Sequence, residues 1–536
     1  MTATTRQSTT PGFDDQMESS SLLKPATTLS GNQHPISGVN SDAMPMLSKS
    51  GGGGGTISTG PNALDSDTAM QVLEDEDVGL DIPAPRPSMA LKILYGMPQL
   101  GTFFSNTLLN QWLTYYYLPP GEPQRISASV FGVLLVLGRL ANAFCDPPVG
   151  YLSDRSRLRL GRRIPFMLFG APFLAIFFSS LWFPPYPGNN SLHPGQTQNA
   201  VYFTFMFMLY NVAFAFVTAP WTALSPEITR EKSDRVMLAT FSGLFSLAGN
   251  LLGAMIGPFQ ANHQDGLNFL GIQFASGLQF CGAMAGLLLL VCFWVPLLVI
   301  KENPNAPRPP PHNIVKELIV TVKNPAFRSL IGITSFLPMG VVFVGTGLPY
   351  LCTQILEAAP NDPDPGLVKP GTGESWTGLI AGIMIAGALL CMPFVGPLAQ
   401  RFGKKIVMLF STILMALLVF SISFVKFFPD PAIPTLIGVA IMAIPASVSF
   451  ILPSAIYGDV VDFDSRRSGQ RREGIYAGAN AFSNKIFMAI GSAAIVYILE
   501  LGATRADPIG IVVLYSVAGL VMALGALLFS THPIRD

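Results

Sequence analysis

Charge is what this sequence has least of. Only 12% of its 536 residues are Asp, Glu, Lys or Arg, against about 25% in an average soluble domain. The 32 basic and 32 acidic side chains cancel, so no basic face for nucleic acid is implied. Histidine and cysteine are scarce, at five each. Cys145, Cys281, Cys292, Cys352 and Cys391 all fall in apolar runs, with neither metal-ligand spacing nor the pattern of a secreted disulfide framework, and read as small packing residues. No GxSxG, HExxH or Walker-type segment occurs, and the histidines are scattered outside the apolar spans. An enzyme, a metal site and a bound cofactor are therefore not expected.

What the chain has instead is apolar length. Half of it is hydrophobic and its mean hydropathy is +0.45. About 20 apolar residues at 1.5 Å rise cross a bilayer, and twelve spans of that order follow one another: 90–118, 126–152, 164–184, 200–226, 236–261, 273–300, 327–356, 375–400, 404–426, 431–457, 474–500 and 508–531. An all-α, multi-pass membrane protein is expected, with the lipid bilayer as its solvent. Residues 1–88 are rich in Ser, Thr, Gly and Pro, and read as a disordered tail. The tail lacks a basic-then-apolar start, so no cleaved signal is expected. Glu18-Ser-Ser-Ser-Leu22-Leu23 fits an acidic dileucine sorting pattern.

Loop charges set an orientation. Loops 153–163, 227–235, 301–328, 401–405 and 459–473 carry 20 Lys and Arg; the other side has Arg125, Lys369, Lys426 and Arg505. The positive-inside rule then puts both termini in the cytoplasm, and the plasma membrane is the expected site. Tyr115–Tyr117, Trp182 and Trp376 fall at the outer ends, as an aromatic belt would. Loop 185–199 is then external, and its Asn189-Asn190-Ser191 could be glycosylated in a eukaryotic cell.

The connection 301–326, Pro-rich and then amphipathic, divides the spans six and six. Expected domains are the tail 1–88, an N-terminal bundle 89–300, the cytoplasmic linker 301–326 and a C-terminal bundle 327–536. An internal repeat supports the division: Pro147-Pro148-Val149-Gly150-Tyr151-Leu152-Ser153-Asp154-Arg155 parallels Pro393-Phe394-Val395-Gly396-Pro397-Leu398-Ala399-Gln400-Arg401. Two parallel six-helix halves around a midplane site are the major facilitator arrangement.

Three charges break the apolar rule. Arg139 and Asp146 lie inside the second span and Lys485 inside the eleventh. A charge at membrane depth costs about 2.5–3.5 kcal/mol even on insertion scales, so these side chains must face a protein interior or a wet cavity. Arg139, Asn142 and Asp146 stand at i, i+3 and i+7, on one helix face. Lys485 lies roughly 17 Å into the membrane, and Asp146 is its expected partner, directly or through water, across the halves. Polar stripes mark further cavity-facing positions: Tyr95, Gln99, Thr102, Asn106 and Asn110; Thr204, Asn211 and Thr218; Thr346, Tyr350 and Gln354; Tyr476, Asn480 and Asn484. Hydroxyls and amides exchange hydrogen bonds with a polyol and carry no charge, which suits a sugar; interhelical bonding uses the same residue types. Expected substrate contacts are Arg139, Gln99, Asn106, Asn110, Asn211, Thr218, Tyr350 and Asn480. Asp154, Arg155, Asp459, Asp462, Arg471 and Glu473 sit at cytoplasmic helix ends, where charges can pair across the halves to form a gate, or merely set topology.

The run Arg139-x-x-Asn142-x-x-x-Asp146-Pro147-x-x-Gly150-x-x-x-Asp154-Arg155, followed by Gly161-Arg162-Arg163-Ile164-Pro165, resembles the glycoside–pentoside–hexuronide:cation symporters, the melibiose permease-like family. Asp459-Val-Val-Asp462, Gly469-Gln-Arg471-Arg-Glu473-Gly474, Ser483-Asn484-Lys485 and Ala489-Ile490-Gly491 are a second match, and Pro226-Glu227-Ile228-Thr229 a third. The resemblance covers about 90–531. It implies cation coupling through Asp146, with Asn142 where the family has a second acid. The helix 4 acid aligns with Thr218, the sugar-holding helix 1 acid with Phe103, and the helix 11 lysine with Lys485. A lone carboxylate suits a proton better than sodium. The resemblance thus implies a monomeric secondary transporter of a sugar or glycoside. An amphiphile carrier akin to lysolipid transporters, and a non-transporting sensor or scaffold, are the competing readings.

Overall fold

The computed structural model describes residues 88–536 apart from 157–159, 187–193, 229–231, 301, 303–320, 322, 359–366, 469–472 and 534–536. The expected tail with its dileucine pattern, the Asn189-Asn190-Ser191 sequence and most of the 301–326 connection lie outside the described residues.

Ten helices among the described residues are long and apolar enough to cross a membrane, Ile164–Ser180 is a shorter apolar helix, and the helix that starts at Met89 is the twelfth. The first six are α1 (Met89–Thr107, a π turn Leu108–Trp112, then Leu113–Tyr117), α2 (Ala128–Arg155), α3 (Ile164–Ser180), α4 (Pro194–Ile228), α5 (Lys232–Ala254, resumed as Ile256–Asn262) and α6 (Gly277–Leu297). The second six are α7 (Pro325–Ile331, a π turn Gly332–Phe336, Leu337–Leu351 and a second π turn Cys352–Leu356), α8 (Gly373–Phe402), α9 (Lys404–Ile422), α10 (Ala432–Ser468), α11 (Glu473–Glu500) and α12 (Ile509–Ser530).

Local chemistry sets several starts. Ser88 caps α1 by accepting from Leu91 N at 3.2 Å. Asn324 caps α7, with Pro325 in its first turn. The tight corner between α8 and α9 falls on Gly403, at φ 86°, where a side chain would be strained. Between α5 and α6, strands β1 (Leu267–Phe269) and β2 (Ile272–Phe274) form an antiparallel hairpin. Its two turn residues, Leu270 and Gly271, both have positive φ, as a two-residue hairpin turn needs. Spacing along the chain gave no sign of it.

Some helices outrun their apolar cores. At about 1.5 Å per residue the 37 residues of α10 exceed a bilayer's roughly 30 Å of hydrocarbon. Asp459 and Asp462 therefore lie on α10, and Arg155 on α2, near helix ends that reach into the stretches 459–473 and 153–163 counted as loops.

Each half has its own core. Trp112, Tyr117, Phe131, Phe178, Trp182 and Phe203 fill the first. Phe327, Phe343, Tyr350, Tyr476, Tyr515 and Phe529 fill the second. Phe169, Phe173, Phe205, Phe394, Phe410 and Leu527 are exposed on the outside, an apolar surface that only lipid would cover. Within the halves α1 packs on α5, α2 on α4, α3 on α6, α9 on α12 and α8 on α10; α2 meets α11 and α5 meets α8 between them.

Candidate functional site

Where α2 crosses α11, the deep charges meet. Lys485 Nζ donates to Asp146 Oδ2 and to Asn142 Oδ1, one residue of one half against two of the other. The Lys485 and Asp146 side chains remain 28% and 32% exposed, so the pair borders space rather than sitting in packed core. Asp146 Oδ1 has no hydrogen-bond partner among the described residues. Phe144 and Phe482 make an edge contact beside the pair. Pro147 and Pro148 follow Asp146 inside α2. They remove two backbone donors, and loosen the helix at the level where the charge sits.

Arg139, two turns away on α2, donates from Nη2 to Asn110 Oδ1 at 2.8 Å, and its Nε has no partner among the described residues. Asn142 Nδ2 donates to the Asn211 carbonyl at 3.2 Å, and Asn211 Nδ2 to the Phe207 carbonyl at 2.7 Å. A cavity of about 200 Å³ is bordered by Asn106, Asn110, Arg139, Asn142, Tyr210, Asn211 and Lys485, with Leu109, Leu113, Leu135, Phe207, Phe214 and Met488 completing its wall. Tyr210 was not singled out from the sequence. It stands one position outside the Thr204–Asn211–Thr218 stripe, but faces the same space.

A second cavity of about 350 Å³ shares Asn106 and Asn110 with the first as wall residues. Its other walls are mainly apolar, with Phe103, Val344, Leu348, Ile380, Met384 and Phe450 among them.

Four expected substrate contacts border neither cavity. Thr218 turns its hydroxyl to its own helix, donating to the Phe214 carbonyl at 2.7 Å. Tyr350 is buried, and donates to the Leu118 carbonyl at 2.7 Å in a contact between halves. Gln99 is half-buried further along α1. Asn480 is half-buried on α11 with its side-chain oxygen unpartnered among the described residues, as is that of Asn484.

The gate residues divide differently. Asp459 is paired with Lys404, at 2.7 and 2.9 Å, inside its own half. Arg155 and Asp462 are exposed, and Arg155 lies over the Tyr151 ring. Arg471 and the side chains of Asp154 and Glu473 lie outside the described residues. A buried pair the sequence reading passed over, Lys92 with Asp234 at 2.6 Å, ties α1 to α5 at the basic end.

Closure is concentrated at the end away from the basic loops. There Tyr350 reaches Leu118, Thr346 donates to the Asn110 carbonyl, and Tyr115 sits edge-on to Tyr350. Glu374, buried on α8, accepts from Tyr115 Oη at 3.3 Å and from Gln264 Nε2 at 3.0 Å, both in the other half. On the basic side of the Lys485 pair, a Cβ built on Gly150 or Gly478 would meet no described atom within 4 Å.

The family model described as MFS/sugar transport protein matches residues 94–534. An uncharacterised symporter of Synechocystis sp. is 24% identical over 487 residues, covering 76% of this chain and 85% of its own. The glucuronide carrier protein homolog of Escherichia coli is 23% identical over 419 residues, covering 77% and 84%. The sphingosine-1-phosphate transporter of Mus musculus is 24% identical over 436 residues, covering 77% and 80%. Among solved structures, a D-xylose-proton symporter superposes with TM-score 0.60 at 15% identity, over 82% of this chain and 96% of its own.

Proposed function

The chain belongs to the MFS/sugar transport protein family, a lineage of symporters with the major facilitator fold, and from that premise we propose that it carries a sugar or glycoside by alternating access, coupled to a proton through Asp146. The observation carrying this reading is the Lys485 contact to Asp146 and Asn142, made between the two halves at the edge of a polar cavity. A proton taken up by the carboxylate removes its attraction for the ammonium. Because the partners belong to different halves, that chemistry acts on how the halves meet. Arg139, Asn106, Asn110 and Asn211 offer a sugar both donors and acceptors. Asn142 in place of a second acid leaves Asp146 alone, which favours a proton over sodium.

The basic loops would face the cytoplasm, with both termini, in a plasma membrane. The charges of Asp154, Arg155, Asp462, Arg471 and Glu473 would then meet at the cytoplasmic mouth during the opposite phase of the cycle. The apolar cavity and the sphingosine-1-phosphate relative favour a second reading, an amphiphile carrier.

Uptake of a panel of labelled sugars and glycosides into proteoliposomes, with and without an imposed pH gradient, tests the proposal. Saturable uptake of one sugar, accelerated by external acid, is expected. No uptake of any of them at any pH would end it.

A further inference from the structure

We infer that the substrate is a glycoside whose apolar aglycone occupies the cavity next to the polar one, so that one molecule spans both. This rests on the glycoside reading and narrows it.

Protein interiors are close-packed, and an unfilled apolar gap costs stability. Asn106, Asn110, Gln111 and Asn250 edge the larger cavity, and the part walled by Phe103, Val344, Leu348, Ile380, Met384 and Phe450 offers water few partners. An apolar cavity of roughly 150 Å³ takes a benzene ring, so about 350 Å³ leaves room for an aryl group or a short alkyl chain. Both cavities have Asn106 and Asn110 in their walls. Asn110 accepts from Arg139 on the polar side through its side chain, and from Thr346 through its backbone. Next to Thr346 stands Gly345, where an added Cβ would meet no described atom within 4 Å. A sugar held by Arg139 and Asn110 therefore has its neighbouring substituent directed along the Asn106–Asn110 face towards open apolar space. Phe103, where the family resemblance places a sugar-holding acid, contributes to that apolar wall.

The experiment uses the full chain in proteoliposomes and matched methyl and phenyl glycosides of glucose, galactose and xylose. For whichever sugar is carried, the phenyl glycoside should have a KM lower by about tenfold or more, the gain expected from burying an aromatic ring. Gly345→Leu fills the cavity. It should raise the ratio of phenyl to methyl KM by about tenfold, and Gly345→Ala should raise it by less. Should the leucine variant fail to fold, Val344→Phe supplies the same filling, and the wild-type comparison stands without either. Equal KM values for methyl and phenyl partners would overturn this inference and leave the glycoside reading intact. Uptake of none of the six glycosides would remove both, as would saturable lysophospholipid uptake in their place, which would make the cavity an acyl-chain site.

Discussion

At the scale of single residues, the three deep charges are unequal. Lys485 has Asp146 as counter-charge; Arg139 has only Asn110 among the described residues. Replacing Lys485 by Met leaves Asp146 beside the cavity without its cation. For a fully buried pair that costs about 3–5 kcal/mol. With both side chains about a third exposed, solvent recovers part of it, and about 2 kcal/mol is expected. Lys485→Met should therefore lower the melting temperature in detergent, and Asp146→Asn with Lys485→Met should restore most of the loss. A double variant no more stable than the single one would show the pair to be uncoupled. Asp146→Asn alone should abolish acceleration by a pH gradient yet leave counterflow exchange, which needs no net proton movement. These charges were legible in the sequence because an ionised group inside an apolar run has few places to go. Tyr210, Lys92 with Asp234, and Glu374 were not. A tyrosine is amphipathic enough to be ordinary anywhere in a span, and charges at helix ends look like topology signals until a partner is seen.

At the scale of elements, the closed end is a helix-on-helix seam between α5 and α8. Gly257 lies where a Cβ would stand 3.0 Å from Gly378 N, and a Cβ on Gly378 would stand 3.1 Å from Pro258 Cγ. Backbones approach this closely only where side chains are missing, the usual device for packing helices in lipid. Glu374 sits one turn before Gly378 and fastens the same seam to Tyr115 and Gln264. Gly378→Leu should hold this end apart, and Glu374→Ala should weaken it. A cysteine at Val344, on the cavity wall, reports both. In the parent it should react with a membrane-impermeant thiol reagent added on the basic side. In either variant, labelling from the opposite side should rise by about tenfold, equivalent to roughly 1.4 kcal/mol of lost closure. Unchanged labelling would mean that the seam does not control access. The twelve spans were readable because hydrophobic length is a one-dimensional signal. The π turns in α1 and α7 left no mark in the hydrophobic pattern, and the β hairpin has two strands of three residues each, too short to show an alternating one.

At the scale of the molecule, the two halves have separate cores and meet through few elements, so their mutual arrangement can change while each core stays packed. Moving such an equilibrium from 1:99 to 99:1 takes about 5.5 kcal/mol of differential interaction. The Lys485–Asp146 contact is worth no more than the roughly 2 kcal/mol that losing one partner costs, a factor of at most about 30 in population. If Asp146 is the proton site proposed above, a proton there would bias the halves without switching them, and the remaining 3.5 kcal/mol or so would have to come from substrate seated between them. That division predicts how coupling looks from outside. With spin labels at Leu152 on α2 and Phe402 on α8, both exposed near the basic end, acidification alone should shift part of the distance distribution, and acid with substrate should shift nearly all of it. Asp146→Asn should respond to substrate and ignore pH. Complete switching by acid alone, or a pH response surviving in Asp146→Asn, would place the proton site elsewhere. On the proposed mechanism such a split would keep the carrier from leaking protons, because neither ligand by itself would carry the halves through the cycle.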